Sequence, residues 1–267
     1  MPYLTRLTDF LRTVFVLAAV LPSLLVGLVL LALWRDRQRA ANAMIGVWTR
    51  IAPPIAGLRL AVRNAERIDA SRPAVFLFNH QSSADILILC MLLRRDFTGV
   101  AKQEVRRNWI LGPAFAFAGA VFIDRFHRAS AIAALEPAID VLRGGISVGI
   151  APEGTRSVGA ALGPFKKGAF RLALAAHVPI VPIVIHDSYR VLPRKAIALR
   201  PAVVHVDVLE PIATEAWTLE SLDTRIAEIR QRYLLQLAAG ADVPAAGSRS
   251  TRTPSAASGS GSRVSSS

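Results

Sequence analysis

Cysteine is nearly absent from this 267-residue chain: Cys90 stands alone, so no intramolecular disulfide is possible. Its place inside an apolar run makes it a buried structural thiol rather than a nucleophile. Metal-ligand patterns are missing as well, because the five histidines are scattered and no cysteine or carboxylate cluster has ligand spacing. Acidic residues are scarce, 19 against 32 lysines and arginines, and the net charge of +13 points to anionic partners: phospholipid head groups, phosphorylated substrates or nucleic acid. A nucleic-acid binder has little else behind it. Arg249, Arg252 and Arg263 lie in a tail, and no aromatic stacking platform accompanies the remaining cations. With 52% hydrophobic and 19% charged residues and a mean hydropathy of +0.40, the chain is too apolar for an ordinary cytosolic protein and too charged for a polytopic transporter.

Charge is wholly missing from Val14 to Trp34, twenty-one residues that as a helix cross a bilayer core of about 30 Å. The run is too long for a cleaved leader and lacks a small-x-small site before the charges that end it. Arg6 and Arg12 precede it and Arg35, Arg37, Arg39 and Arg50 follow, which puts the bulk of the chain on the cytoplasmic face of a cell membrane. Pro22 and Gly27 leave a re-entrant or hairpin-like anchor open beside a straight span. Gln38 to Ile51 reads as an amphipathic helix ending at Pro53-Pro54, and Leu58 to Arg63 alternates like a first strand. From Ala74 onward short apolar runs (Val75 to Phe78, Thr98 to Ala101, Ala120 to Ile123, Ile146 to Ile150, Ile180 to Ile185, Val203 to Val208) take turns with helical patterns (Ile86 to Leu93, Ala129 to Leu142, Gly168 to Ala176, Leu219 to Leu237). The fold class is therefore α/β, a central mixed sheet flanked by helices. The expected division is a membrane anchor with its amphipathic helix over 1–54, an α/β domain over 55–238 and a disordered, Ala/Gly/Ser/Arg-rich tail over 239–267.

The run Val75 to Phe78 has no alternation, which suits a strand covered on both faces, and Ser82 or Ser83 is placed to cap the helix that follows. His80 then sits at the carboxyl end of a strand, where α/β sheets keep their ligands. Residues five apart on one helix point ~140° away from each other, so His80 meets Asp85 only if it lies in the turn and folds back over the first helical turn. Such a pair is a base and its orienter. The competing reading is a loop histidine beside an aspartate that complements the helix dipole. Gly119 to Arg125 and Ile150 to Ser157 repeat the strand-then-polar-turn arrangement on the same edge of the sheet. There Arg125 and Arg156 can grip a phosphate, Gly154 lets the backbone approach and donate N–H groups, and Lys102 offers a third cation. Lys166 and Lys167 either close that loop or form a basic surface facing lipid. Two other histidines rank lower: His205 and Asp207 share what reads as the solvated face of a strand, and His186-Asp187 is a dyad whose neighbours point to opposite faces.

Four stretches together, Asn79-His80-Gln-Ser-Ser-Ala-Asp85, Gly119 to Arg125, Pro152-Glu-Gly-Thr-Arg156 and Val178 to Ile185, resemble the glycerolipid acyltransferases of the bacterial 1-acylglycerol-3-phosphate acyltransferase type in order and spacing. The resemblance covers about Leu58 to Pro211, with Ala151 standing where a bulky apolar residue is usual. It implies a membrane-bound enzyme that moves an acyl chain from acyl-CoA or acyl carrier protein to a lysolipid hydroxyl, giving phosphatidic acid in phospholipid biosynthesis, with no cofactor. It also implies His80 as base and the second and third blocks, with Arg125, Glu153, Gly154, Thr155 and Arg156, around the acceptor phosphate, where Lys102, read from its own place after a short apolar run, is the third cation expected. Glu153 is expected to orient the Thr155 and Arg156 loop. The alternatives are another lysolipid acceptor, such as a lyso-aminolipid, and a non-catalytic membrane or nucleic-acid binder.

Overall fold

The computed structural model describes residues 2–123 and 135–241. Helices α1 (Pro2–Ala18) and α2 (Val20–Trp34) run on from each other with only Ala19 between them. The break falls where Pro22 removes the N–H owed to the Ala18 carbonyl and crowds it with its ring. Thr5 to Trp34 is long and apolar enough to cross a membrane. Arg35 then takes a left-handed conformation and Asp36 caps α3 (Arg37–Ala56), its carboxylate accepting the Arg39 N–H at 2.9 Å. Helix α3 folds back along the apolar arm, and Trp48 Nε1 donates to the Val16 carbonyl at 3.2 Å. The N-terminal segment is thus a helical hairpin with one apolar and one amphipathic arm. Pro53-Pro54 does not end α3; the helix runs through both to Ala56 and stops at Gly57, whose φ of +66° makes the left-handed cap.

The sheet has seven strands, β1 (Leu58–Arg63), β2 (Val75–Phe78), β3 (Phe97–Lys102), β4 (Val121–Ile123), β5 (Ser147–Ile150), β6 (Ile180–Ile185) and β7 (Ala202–Val208), in the order β1-β7-β6-β2-β5-β3-β4. All neighbours are parallel except β6 and β7, so the sheet is mixed as expected. All four residues of the central strand β2 are buried. Phe76 and Phe78 pack on the face covered by the N-terminal helices and α5 (Asp85–Leu93), so that Val16, Val20, Met44 and Ile45 share one core with the sheet. Val75 and Leu77 pack on the other, against helices α8 (Glu136–Arg143), α9 (Gly168–Ala176) and α10 (Leu222–Ala241). Three shorter helices, α4 (Glu66–Ala70), α6 (Gln103–Arg106) and α7 (Leu111–Phe117), carry too few apolar repeats to announce themselves in the sequence. The first half of the helical pattern from Ala129, and residues 242–267 of the tail, lie outside the described residues.

The crossover from β2 to β3 through α5 covers one face, and that from β5 to β6 through α9 covers the other. The strand order therefore reverses beside β2, and a crevice opens at the carboxyl ends of β2 and β5.

Candidate active site

Beyond Phe78 the chain leaves the ladder, and the side chain of Asn79 takes over the pairing. Its Nδ2 donates to the Ile185 carbonyl at 2.8 Å and its Oδ1 accepts the Ile185 N–H at 2.7 Å, pinning the ends of β2 and β6 together. His80 follows. Its N–H donates to Glu153 Oε1 at 2.9 Å and its carbonyl accepts the Ser157 N–H at 2.8 Å, so the loop after β5 grips both main-chain groups. The ring is left to face Asp85, with Nδ1 2.7 Å from Oδ2. Phe78 meets the imidazole edge-on at 5.8 Å between centroids. Asp85 is 0% exposed and the His80 side chain 22%, so the pair has a dry inner and an open outer member.

The same Asp85 oxygen accepts the N–H groups of Gln81 and Ser82, each at 2.9 Å. These are obligate donors, so Oδ2 is an acceptor, and the bond to Nδ1 then carries the imidazole proton there and leaves Nε2 with the lone pair. Asp85 Oδ1 is buried without a hydrogen-bond partner among the described residues. The expected folding-back of His80 over the first turn is thus what the chain does. Neither serine caps α5, however. The N-cap is Ala84 with no side-chain bond; Ser82 Oγ accepts the Ala84 N–H at 3.1 Å and donates to the Leu192 carbonyl at 2.9 Å, which ties the turn to a distant loop.

The residues expected around a phosphate fall into two groups. Arg156 reaches the turn after His80, its Nη1 donating to Ser83 Oγ at 2.7 Å. Thr155 is exposed beside it, and Lys102 ends β3, exposed, on the same edge of the sheet. Arg125 lies outside the described residues. Glu153 is 3% exposed and its carboxylate is engaged by the protein itself: Oε1 by His80, Oε2 by the Ser157 hydroxyl and by the Gly163 N–H at 2.8 Å. It builds the loop, as expected, and turns no free oxygen toward a phosphate. Gly154 does not donate its N–H to a ligand either, because that group closes a turn on the Ala151 carbonyl at 3.1 Å. Its φ of +71° and missing side chain serve Lys166, whose Nζ lies 3.0 Å from where a Cβ would stand. Of the two adjacent lysines, Lys166 closes the loop while Lys167 pairs with Asp223 at 2.7 Å. The pairings of Asn79 with Ile185, Ser83 with Arg156 and Gly163 with Glu153 carry no signal in the sequence, since each joins residues distant along the chain.

The other histidine dyad differs from the sequence expectation. His186 pairs with Asp207, not Asp187: Nε2 is 2.7 Å from Oδ2. Asp207 is 2% exposed rather than solvated, and Arg63 and Gln236 also bond it. Antiparallel pairing of β6 with β7 sets Val184 opposite Asp207, while β1 brings Arg63 opposite it from the other side. The cluster joins β1, the end of β6 and β7 to α10. Among the described residues no group of three or more His, Cys, Asp or Glu side chains is placed to hold a metal ion.

An apolar cavity of about 140 Å³ lies on the Phe78 side of the sheet, between the N-terminal hairpin, α5 and α7; Phe78, Met44, Cys90, Thr98, Phe115 and Gly149 are among its walls. Burial there pushes the Cys90 thiol up to about 12, which leaves it inert. Phe78 thus touches both this cavity and the ring of His80.

Residues 59–186 match the family model described as Acyltransferase. The chain is 33% identical over 186 residues to a 1-acyl-sn-glycerol-3-phosphate acyltransferase of Limnanthes douglasii, covering 69% of this chain and 66% of that one. With the human 1-acyl-sn-glycerol-3-phosphate acyltransferase beta it shares 33% over 218 residues, covering 80% of this chain and 78% of that one. The chain thus spans just under two thirds of the Limnanthes protein and more of the human one. The crystal structure of the 1-acyl-sn-glycerophosphate (LPA) acyltransferase of Thermotoga maritima superposes with a TM-score of 0.73 at 26% identity, over 90% of this chain and 98% of that one. By its four ordered sequence blocks, its sheet and these matches, the chain belongs to the acyltransferase family.

Proposed function

We propose that the protein transfers an acyl chain from a thioester donor, acyl-CoA or acyl carrier protein, to the free hydroxyl of 1-acylglycerol-3-phosphate, giving phosphatidic acid at the cytoplasmic face of the cell membrane. The observation that carries this reading is the His80 ring, held at 2.7 Å from a buried carboxylate oxygen and flanked by Arg156. Nε2 takes the proton of the acceptor hydroxyl as that oxygen attacks the thioester carbonyl. The C–O bond forms, the C–S bond breaks, and the leaving thiolate takes the proton from the imidazolium. General base help of this kind supplies about 10²- to 10⁴-fold. Asp85 holds the tautomer and stabilises the imidazolium. Arg156, Lys102 and Arg125 are the cations assigned to the acceptor phosphate, and by gripping it they aim the hydroxyl. Glu153 and Gly154 act through the loop. The apolar cavity behind Phe78 suits an acyl chain whose reacting end emerges beside His80. This transfer calls for no metal or organic cofactor.

The test is acyl transfer by the purified full chain against a panel of lysolipids, comparing lysophosphatidic acid with a phosphate-free lyso-aminolipid, in wild type and Arg156→Ala. Removing one charge-assisted hydrogen bond to a phosphate costs about 1.5–3 kcal/mol, so kcat/KM for lysophosphatidic acid is expected to fall about 10- to 100-fold. The phosphate-free acceptor should be indifferent. Equal losses on both acceptors would make Arg156 a support of the loop and remove it from phosphate recognition. A wild-type preference for the phosphate-free lipid would overturn the acceptor assignment.

A further inference from the structure

Between β6 and β7 the chain makes a ten-residue excursion, Val191 to Arg200, whose ends are closed by the Arg200 N–H donating to the Val191 carbonyl at 2.8 Å. Loops of this compact kind, with joined ends and their own packing, are often functional. This one is fastened at two places of different character. Its Leu192 carbonyl accepts the Ser82 hydroxyl at 2.9 Å, in the turn that carries His80. Its Leu199 N–H donates to Thr13 Oγ1 at 2.8 Å, on the apolar helix α1. Between these ties the tip turns outward. Arg194 and Lys195 are exposed, Ile197 is 69% exposed, and Arg200 is exposed at the base. None of the three cations forms an ion pair among the described residues.

An isolated exposed isoleucine needs no explanation. Here it lies among three cations that form no ion pair among the described residues, close in the chain to Leu199, which is tied to Thr13 on a helix whose Phe10, Leu11, Val14 and Phe15 are themselves exposed. The apolar surface of the anchor therefore continues onto the loop, and the charge appears where the loop would meet a head-group layer. Basic side chains around a shallow apolar tip are the chemistry that an anionic bilayer surface selects, the cations meeting head groups and the apolar side chain entering the acyl boundary.

We propose that the 191–200 loop is a second membrane contact, specific for an anionic phospholipid surface, which sets the mouth of the His80 site against the head-group layer. The α1–α2 arm holds the protein to the bilayer, and this loop fixes the angle at which the site meets it. The inference rests on the acceptor being a lipid presented in a membrane.

Two measurements on the full-length protein test it separately. Ile197→Cys, labelled with an environment-sensitive fluorophore against the background of the parent protein, should shift its emission to the blue on transfer from detergent micelles into phosphatidylcholine–phosphatidylglycerol vesicles. The shift should be smaller in pure phosphatidylcholine vesicles and should shrink at high salt. In the second, Ile197→Asp and Lys195→Glu should each lower acyl transfer to lysophosphatidic acid embedded in the anionic vesicles, Lys195→Glu by about fivefold for the basic residue removed. Turnover of a short-chain acceptor dispersed as monomers should stay at the parent level. Unshifted emission in anionic vesicles, or equal losses on both acceptors, would overturn the loop contact. So would a shift produced by soluble acidic acyl carrier protein without vesicles, which would assign the loop to a protein partner. A parent protein inactive on both acceptors would instead sink the acyl-transfer reading, and the emission measurement would still decide the loop.

Discussion

Asp85 Oδ2 receives three donors, and two of them, the N–H groups of Gln81 and Ser82, cannot be turned away. An asparagine at this position has to place its oxygen there and its NH₂ on the side of the unpartnered Oδ1. The His80 tautomer is then kept, and what disappears is the negative charge that stabilises the imidazolium. Asp85→Asn is accordingly expected to lower kcat by about 10²- to 10⁴-fold with little change in KM, while circular dichroism stays that of the parent. A tenfold rise in KM at unchanged kcat would count against a transition-state role for the Asp85 charge. His80→Ala is expected to remove acyl transfer to the same extent or further, with membrane recovery unchanged. Retention of most parental turnover would sink the base assignment. Gly154→Ala combines a positive φ with a clash against Lys166 at 3.0 Å, and its effect should appear in acceptor KM, since the loop it distorts carries Arg156.

At the scale of elements, the site depends on how strand ends are tied. Asn79 replaces a rung of the ladder between β2 and β6, and Asn79→Ala leaves both the N–H and the carbonyl of Ile185 buried and unpaired. Each such group costs about 1–3 kcal/mol, so the variant is expected to lose roughly 2–6 kcal/mol in chemical denaturation from micelles. A loss under about 0.5 kcal/mol would mean that water or another side chain takes over. The second strand-end cluster acts on pH. Burial by itself would raise the Asp207 carboxyl, but its hydrogen bonds from Arg63, Gln236 and His186 prevail and bring it from 3.8 down to about 2. A carboxyl depressed in the folded state adds stability above its ordinary value and loses it as pH falls from about 4 toward 2. The size is on the order of 2 kcal/mol, from 1.36 kcal/mol per unit. Melting temperatures between pH 5 and pH 2 should fall less steeply for Asp207→Asn than for the parent, from a lower starting value. Parallel curves would show that the cluster is indifferent to ionisation.

For the whole molecule, the anchor and the sheet share one core. Val16 and Val20 of the apolar arm pack with Met44 and Ile45 and, through them, with Phe76 and Phe78. Removing residues 1–34 therefore takes Val20 and Ser23 from the cavity wall and Val16 from the shared core, as well as the apolar arm. The truncated chain is expected to be destabilised and to bind hydrophobic dyes, in addition to leaving the membrane pellet. A truncated form with the melting temperature of the parent would show that the hairpin is only an anchor.

The strands, the longer helices and the His80–Asp85 pair were legible because they rest on local patterns. Unbroken apolar runs bounded by polar turns mark β2 and β6, the charge-free stretch marks the apolar arm, and the spacing of His80 to Asp85 allows one geometry that works. Pro53-Pro54 misled as a helix end because buried packing and the Gly57 cap outweigh local propensity. The pairing of His186 with Asp207, the clamp of Glu153 on His80 and the reach of Arg156 to Ser83 join residues 21 to 73 positions apart. No periodicity encodes such contacts, since they follow from strand order and from the one antiparallel pair in the sheet. Local patterns are enough to read the α/β succession, the long apolar stretch and the four family blocks off the chain. Which side chains face one another is left to packing, because burial leaves each buried polar group to find its partner wherever the sheet brings one near.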